Sequence, residues 1–471
     1  MGKQRNSLTT GGGRMSIRKA RAAKWMGSLL AISLVFAGCS NGNKEEASPT
    51  SSQTDGSGGS GTEIDWKTVK ADIRFVYPGT SESEKLFAEN FKTAMKEKYP
   101  NVNIEYMYLS WADMEKKISV MISTGDVPDI ATTQDVTNFV QMDGLEDLTP
   151  YMQRETTSVK PDNFLPGTLD YSTIDGKIYA APATANAFNL MVNEKMLNDA
   201  GMKLEELQTW EDVEKAAQLM TKDGKYGFGY PLGVARFAFR VPFTAGYSND
   251  LLLSDTSETS KAKYIELLNH FKKLEAFQPK AHLTWGYPEM FRAYSNGEVG
   301  MIPAGTFFSA NVYSINPDII NVSRAISYPK GPSGSAAKTP VANSGFGIYK
   351  GSKNKEVAWR LIEELLSPEF NSTQAAILNI SAEKATSLDE VIKKAEDVYP
   401  KAIDGHKRVI EDFLAMVDKS GVPMNTIVGQ PEMETVVQDI MVKFLTNKLD
   451  AEEAYGEIKK GIDSVTAKYA K

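Results

Sequence analysis

Three histidines, one cysteine and 60 carboxylates are the residues from which this 471-residue chain could build reactive chemistry. Their spacing argues against catalysis. His270, His282 and His406 lie far apart, and there is no G-x-S-x-G elbow, no H-E-x-x-H helix and no G-x-x-x-x-G-K-[ST] phosphate loop. Serine hydrolysis, zinc peptidase chemistry and ATP hydrolysis therefore lack their usual frames. Acidic pairs such as Glu363 and Glu364 read as solvated helix faces, although a glycosidase pair of carboxylates stays open at the level of sequence. Cys39 is the only cysteine, so no disulfide and no cysteine-based metal or redox motif can form within the chain.

The surroundings of Cys39 give it a different use. Residues 1–38 hold seven Lys or Arg and no Asp or Glu, and an apolar run extends from Trp25 to Phe36. A basic segment before an apolar run too short to span a bilayer reads as a secretory signal, with Met1 or Met15 as its start. The run ends in Phe36-Ala37-Gly38-Cys39, which resembles the lipobox of bacterial lipoproteins, with Phe36 where Leu is usual. That resemblance implies a signal peptide over 1–38 and a diacylated Cys39; two acyl chains suffice for stable anchoring. Residues 40–62 are rich in Ser, Gly and Thr, nearly free of apolar side chains, and read as a flexible tether spanning about 25 Å.

The chain carries 53 Lys and Arg against 60 Asp and Glu; seven of the basic residues precede Cys39, so the part from Cys39 onward has a net charge of −14. A surface this acidic argues against nucleic acid and anionic lipid as partners. After the tether, roughly 400 residues exceed what one core commonly holds, which predicts two lobes. Alternation at Ile73, Phe75 and Tyr77 predicts a strand, and Leu86, Phe87, Phe91, Ala94 and Met95 a helix started by a capping box at Ser81 and Glu84. Val102, Ile104, Tyr106 and Tyr108 then predict a second strand. Such a β-α-β unit implies a parallel sheet. Further helical stripes run through Trp210 to Met220, Val357 to Leu365 and Met433 to Phe444, each behind a start signal at Thr209, Ser352 or Pro431.

A series of short motifs then appears in a fixed order: GDVPDI at 125–130, GLEDLTPY at 144–151, DGKIYAAP at 175–182 and NEKML at 193–197. TWED at 209–212, FRAYSNGEVGMIPAGTFF at 291–308 and SKNKEVAW at 352–359 complete it. Together, across about 370 residues, they resemble the extracellular solute-binding proteins of ABC importers, in particular the carbohydrate-binding, maltose-binding-protein-like group. The resemblance implies an α/β type II periplasmic-binding-protein fold: two α/β lobes joined by a hinge with the ligand cleft between them. It implies a lipidated tether over 39–65, lobe 1 at 66–181 and 344–423, and lobe 2 at 182–343 and 424–471. The expected function is capture of a mono- or oligosaccharide by cleft closure and delivery to membrane permease subunits served by a separate ATPase. No cofactor, no metal ligand set and no nucleic acid is expected. The protein is expected to be a monomer that meets the membrane only through the lipid on Cys39.

Sugar sites combine aromatic faces with planar polar side chains. At the positions the resemblance marks as ligand-facing stand Thr80, Ser81 and Glu82 after the first strand, Asp135 after the PDI strand, and Asn186 and Asn189 past the first crossing. Arg236 and Phe239, with Phe237 between them, follow in the PLGVARFAF stretch. Phe307 aligns with a stacking Trp of the family, Trp285 is a further stacking candidate, and Gln430 heads the final crossing. Ser81 can equally be a helix cap, Asp135 a solvated loop residue and Gln430 a plain helix start. A receptor of the same fold for a polyamine or a sugar phosphate stays open, since an acidic cleft suits the first and Arg236 the second. A surface polysaccharide hydrolase is the remaining alternative.

Overall fold

Alternation of apolar side chains makes β1 (Ala71–Pro78) and β2 (Val102–Leu109) pair in parallel, from Ala71 opposite Val102 to Pro78 opposite Leu109. The helix Glu82–Lys98 crosses between them. Its capping box is formed as expected: Ser81 Oγ accepts from the Glu84 amide at 3.2 Å, and Glu84 Oε2 accepts from the Ser81 amide at 2.8 Å. These features come from a computed structural model that describes residues 64–469 apart from 80, 166, 379 and 426. The signal, Cys39, most of the tether and Thr80 lie outside the described residues.

The remaining strands are β3 (Ile130–Thr133), the short pair β4 (Thr173–Ile174) and β5 (Lys177–Ile178), β6 (Ala181–Asn193), β7 (Tyr226–Phe228), β8 (Val299–Gly305), β9 (Ser323–Ile326), β10 (Thr339–Ile348) and β11 (Gly421–Pro423). Apart from the β4-β5 pair, their order is β2-β1-β3-β10-β6-β8-β7, with β11 also on β10 and β9 also on β6. Two long, fully buried strands thus serve both lobes. Gly345–Ile348 of β10 pair with β3, while Val341–Phe346 pair with β6. Within β6, residues 181–187 face β10, and Phe188–Val192 change partner to β8. The fold is the type II periplasmic-binding-protein arrangement that the motif order implies.

Each lobe has its own apolar core. Phe75, Phe91, Ile104 and Trp359 pack in the first, and Trp210, Tyr230, Phe271 and Phe444 in the second. The three helical stripes become the helices Trp210–Met220, Lys355–Leu365 and Gln430–Leu445, with Thr209 capping the first through the Asp212 amide. Helix Ile403–Ser420, expected inside 344–423 of lobe 1, places Val409, Phe413 and Met416 in one apolar cluster with Met290 and Phe291, which belong to the segment 182–343. Glu363 and Glu364 are not solvated. Both are under 9% exposed; Glu363 accepts from Thr157 and Arg360, and Glu364 from Lys98 and Tyr99. Helix Lys355–Leu365 buries most of its circumference, so these carboxylates are needed to tie neighbouring segments together.

Candidate ligand-binding cleft

Where β10 crosses between lobes, Ser344 Oγ accepts from two amide groups, Asn186 Nδ2 at 2.7 Å and Gln134 Nε2 at 3.0 Å. Above this cluster opens a cavity of about 410 Å³. The first lobe lines it with Ser81, Glu84, Trp111 and Gln134; the crossing strands supply Asn186 and Ser344; the second lobe supplies Arg236, Phe237, Arg240, Tyr287, Phe307 and Asn311.

One wall is aromatic. The rings of Phe237 and Tyr287 stack 3.8 Å apart at 8°, and Tyr287 stacks on Phe307 at 5.6 Å and 25°. Phe307 is steadied edge-on by Phe188 and Phe291, both at 6.3 Å. Opposite, Trp111 donates its indole N–H to Glu84 Oε1 at 2.8 Å, which fixes its ring. Since Glu84 Oε2 is held by the Ser81 amide, this carboxylate is fully used by its own lobe.

The polar wall is built on helix Ala235–Tyr247. Pro242 inside it cannot donate to the Ala238 carbonyl four residues back. The Tyr230 hydroxyl donates to that carbonyl instead, at 2.6 Å, so the helix continues and carries Arg236 and Arg240 on one side. Gln134 Oε1 accepts from both guanidinium groups, from Arg240 at 3.4 Å and from Arg236 at closer range. Arg236 also faces Glu115 of the first lobe at 3.6 Å. Burial pushes the Glu115 carboxyl up to about 7, against the opposing pull of Arg236. Burial likewise raises Asp135, whose Oδ1 accepts from the Thr137 amide at 2.8 Å.

Among the residues expected at the ligand, Ser81, Asn186, Arg236 and Phe307 meet at this cavity. Asp135 lies beside it, in a recess shared with Glu115, Gln134 and Arg236. Five others stand elsewhere, and packing explains each. Glu82 projects into solvent from the first turn of its helix. Asn189 is three positions along β6 from Asn186 and therefore on the opposite face, wholly buried beside Ala187 and Met191, where its Nδ2 meets Met191 Sδ at 3.1 Å. Phe239 is 1% exposed and packs on Phe243 at 5.4 Å in the second lobe's core. Trp285 sits between two lining residues, Thr284 and Gly286, but packs its own ring on the cluster around Met290 and Phe291. Gln430 folds back to donate to Glu434 Oε1 at 2.9 Å. Thr80 falls outside the described residues.

Gln134, Arg240 and Tyr287 are contributors that the sequence reading lacks. Gln134 adjoins Asp135 at the end of β3, where a one-residue shift selects the other side chain. Arg240 is the i+4 partner of Arg236, visible only once the stretch is known to be helical.

Residues 78–371 match the family model described as bacterial extracellular solute-binding protein. A binding protein of Brucella abortus (strain 2308) is 24% identical over 372 residues, covering 76% of this chain and 88% of that protein. An ABC substrate-binding protein from Listeria monocytogenes in complex with cycloalternan superposes with a TM-score of 0.69 at 17% identity, over 85% of this chain and 100% of that one. A solute-binding protein from Thermotoga lettingae bound with α-D-tagatose gives a TM-score of 0.69 at 19% identity, over 84% and 100%. With more than half its length matched to one family model, and the two-lobed fold to go with it, this chain belongs to the bacterial extracellular solute-binding proteins.

Proposed function

We propose that this protein is the receptor of an ABC importer for a mono- or oligosaccharide, captured by closure of the two lobes. The observation that carries this reading is the cavity at the crossing strands, where the Phe237-Tyr287-Phe307 stack faces the planar polar groups of Gln134, Asn186 and Arg236. Stacked rings suit the apolar C–H face of a pyranose, and amide and guanidinium groups each suit two hydroxyls. Ser81 and Phe307 are proposed as direct contacts. The sugar complexes of the Listeria and Thermotoga proteins support the same ligand class.

A thermal-shift screen over neutral and charged saccharides, sugar phosphates and polyamines tests the reading. A ligand at 100 times its dissociation constant stabilises by about 2.7 kcal/mol. Absence of any shift with every saccharide rules out the carbohydrate reading, and a shift with spermidine alone points to the polyamine alternative. Release of reducing ends from an oligosaccharide would make the protein a hydrolase instead.

Delivery to membrane permease subunits, with a separate ATPase supplying energy, follows from the family. The lobe limits proposed are 66–181 with 344–423, and 182–343 with 424–471; helix Ile403–Ser420 would bridge them. Anchoring through diacylated Cys39 and a monomeric state complete the proposal. Replacing Cys39 with Ala is expected to shed the protein into the medium, and retention on cells excludes the lipid anchor.

A further inference from the structure

Arg240 is a buried guanidinium without an ion pair. It is 9% exposed, forms no salt bridge among the described residues, and its Nε has no hydrogen-bond partner there. It makes one long bond, 3.4 Å to a Gln134 oxygen already used by Arg236, and rests on the Phe188 ring at 4.7 Å. Taking a charge out of water without a counter-ion is costly. Two further features add to that cost. Arg236 and Arg240 are like charges at i and i+4 on one helix. Both stand in the first two turns of helix Ala235–Tyr247, whose N-cap residue Val234 offers no side-chain acceptor, and the Ala235 and Arg236 amides find none among the described residues. Arg236, Arg240 and the helix start at Val234 all line the same cavity.

The carboxylates nearby do not neutralise this end of the cavity. Glu84 is spent on Trp111 and Ser81, and Glu289 caps its own helix through the Gly286 amide at 2.9 Å. Glu115 is taken by Arg236, at 3.6 Å, and forms no ion pair with Arg240. Asp135 and Glu434 act on the arginines through space, without an ion pair.

We propose that the sugar taken by this cleft is acidic, with a ring carboxylate seated between the Arg240 and Arg236 guanidinium groups and the first amides of helix Ala235–Tyr247. This rests on the carbohydrate reading above. A carboxylate supplies the planar, two-oxygen acceptor that a guanidinium fork matches, and an anion at a helix N-terminus is favoured by the same free amides. A single negative charge balances Arg240, the arginine of this cavity that has no ion pair among the described residues, which favours a uronic acid over a doubly charged phosphate.

Titration calorimetry of the purified protein tests this with di- and trisaccharides of galacturonic, glucuronic and mannuronic acid, each against its neutral parent, and with galactose 6-phosphate. At least one uronate is expected to bind about tenfold or more tightly than its parent, matching a charged hydrogen bond of about 1.5–3 kcal/mol. R240M should erase that preference and R236Q should reduce it. The ligand-free R240M protein should melt at the same temperature or higher, since an unpaired buried charge is lost. Equal binding of uronate and parent, or a preference that survives R240M, overturns the inference while leaving the sugar receptor intact. Binding of galactose 6-phosphate in place of every uronate overturns the carboxylate assignment. Failure of every saccharide to bind removes the carbohydrate reading, and this inference with it.

Discussion

Phe307 shows how a single side chain can serve both core and cleft. Its edge contacts with Phe188 and Phe291 belong to packing, while its stacked neighbour Tyr287 continues the aromatic wall of the cavity. Replacing it with Leu keeps most of the apolar volume and removes the ring face. The expected result for F307L is about two- to tenfold weaker sugar binding by calorimetry, since an aromatic pair adds about 0.5–1.5 kcal/mol beyond area. The melting temperature should change little. Unchanged affinity would confine Phe307 to packing. At this scale the sequence was only partly legible. Ser81, Asn186, Arg236 and Phe307 reach the cavity from positions that the family resemblance marks as ligand-facing, although only Phe307 lies inside one of the ordered motifs and Arg236 stands on a helix. Asn189 misleads because it has the same chemistry as Asn186, and only the two-residue period of β6, continuous from Ala181 to Asn193, turns it to the other face. Arg240 is hidden behind a proline.

That proline belongs to the element scale. Pro242 and Gly246 make the 235–247 stretch look like a loop, and the bond from Tyr230 that repairs the helix comes from outside it. No local rule reveals such a repair. The β1-helix-β2 unit was legible in full because its periodicity, its cap and its strand alternation all agree. Gly345 marks another non-local constraint. It sits at the register shift where β10 changes partners, and an added Cβ would lie 2.3 Å from the Ala181 carbonyl oxygen and 3.0 Å from Pro182 Cα. Neither neighbour is a flexible side-chain end, so the strands must part. G345A is expected to lower stability by about 2 kcal/mol, the scale of other backbone and overpacking defects. The denaturant midpoint should fall at unchanged slope. A midpoint within error of the parent protein would show that β6 and β10 yield at no cost.

At the scale of the whole molecule, a polar seam beside the cavity is one of the contacts between the lobes. Gln134 and Glu115 of the first lobe meet Arg236 and Arg240 of the second, and Asp135 and Glu434 act on the same charges through space. Glu115 has its carboxyl pushed up to about 7, chiefly by burial, with Asp135 and Glu434 raising it further and Arg236 and Arg240 lowering it. Opening the cleft returns water to this group and moves it back towards its ordinary value of 4.5. The sign follows from proton counting. Between about pH 4.5 and 7 the closed form binds more protons at Glu115 than the open form, so raising pH through that window disfavours closure. Small-angle scattering of the ligand-free protein should therefore show a larger radius of gyration at pH 8 than at pH 5, against a base of about 21 Å for roughly 400 folded residues. E115Q carries a neutral side chain of the same shape and should hold the pH 5 dimension at both values. On the proposed capture by closure, ligand should restore compactness at pH 8 in both proteins by shifting the population towards the closed form. A radius independent of pH in the parent protein, or a pH dependence that survives in E115Q, would remove Glu115 from the control of closure.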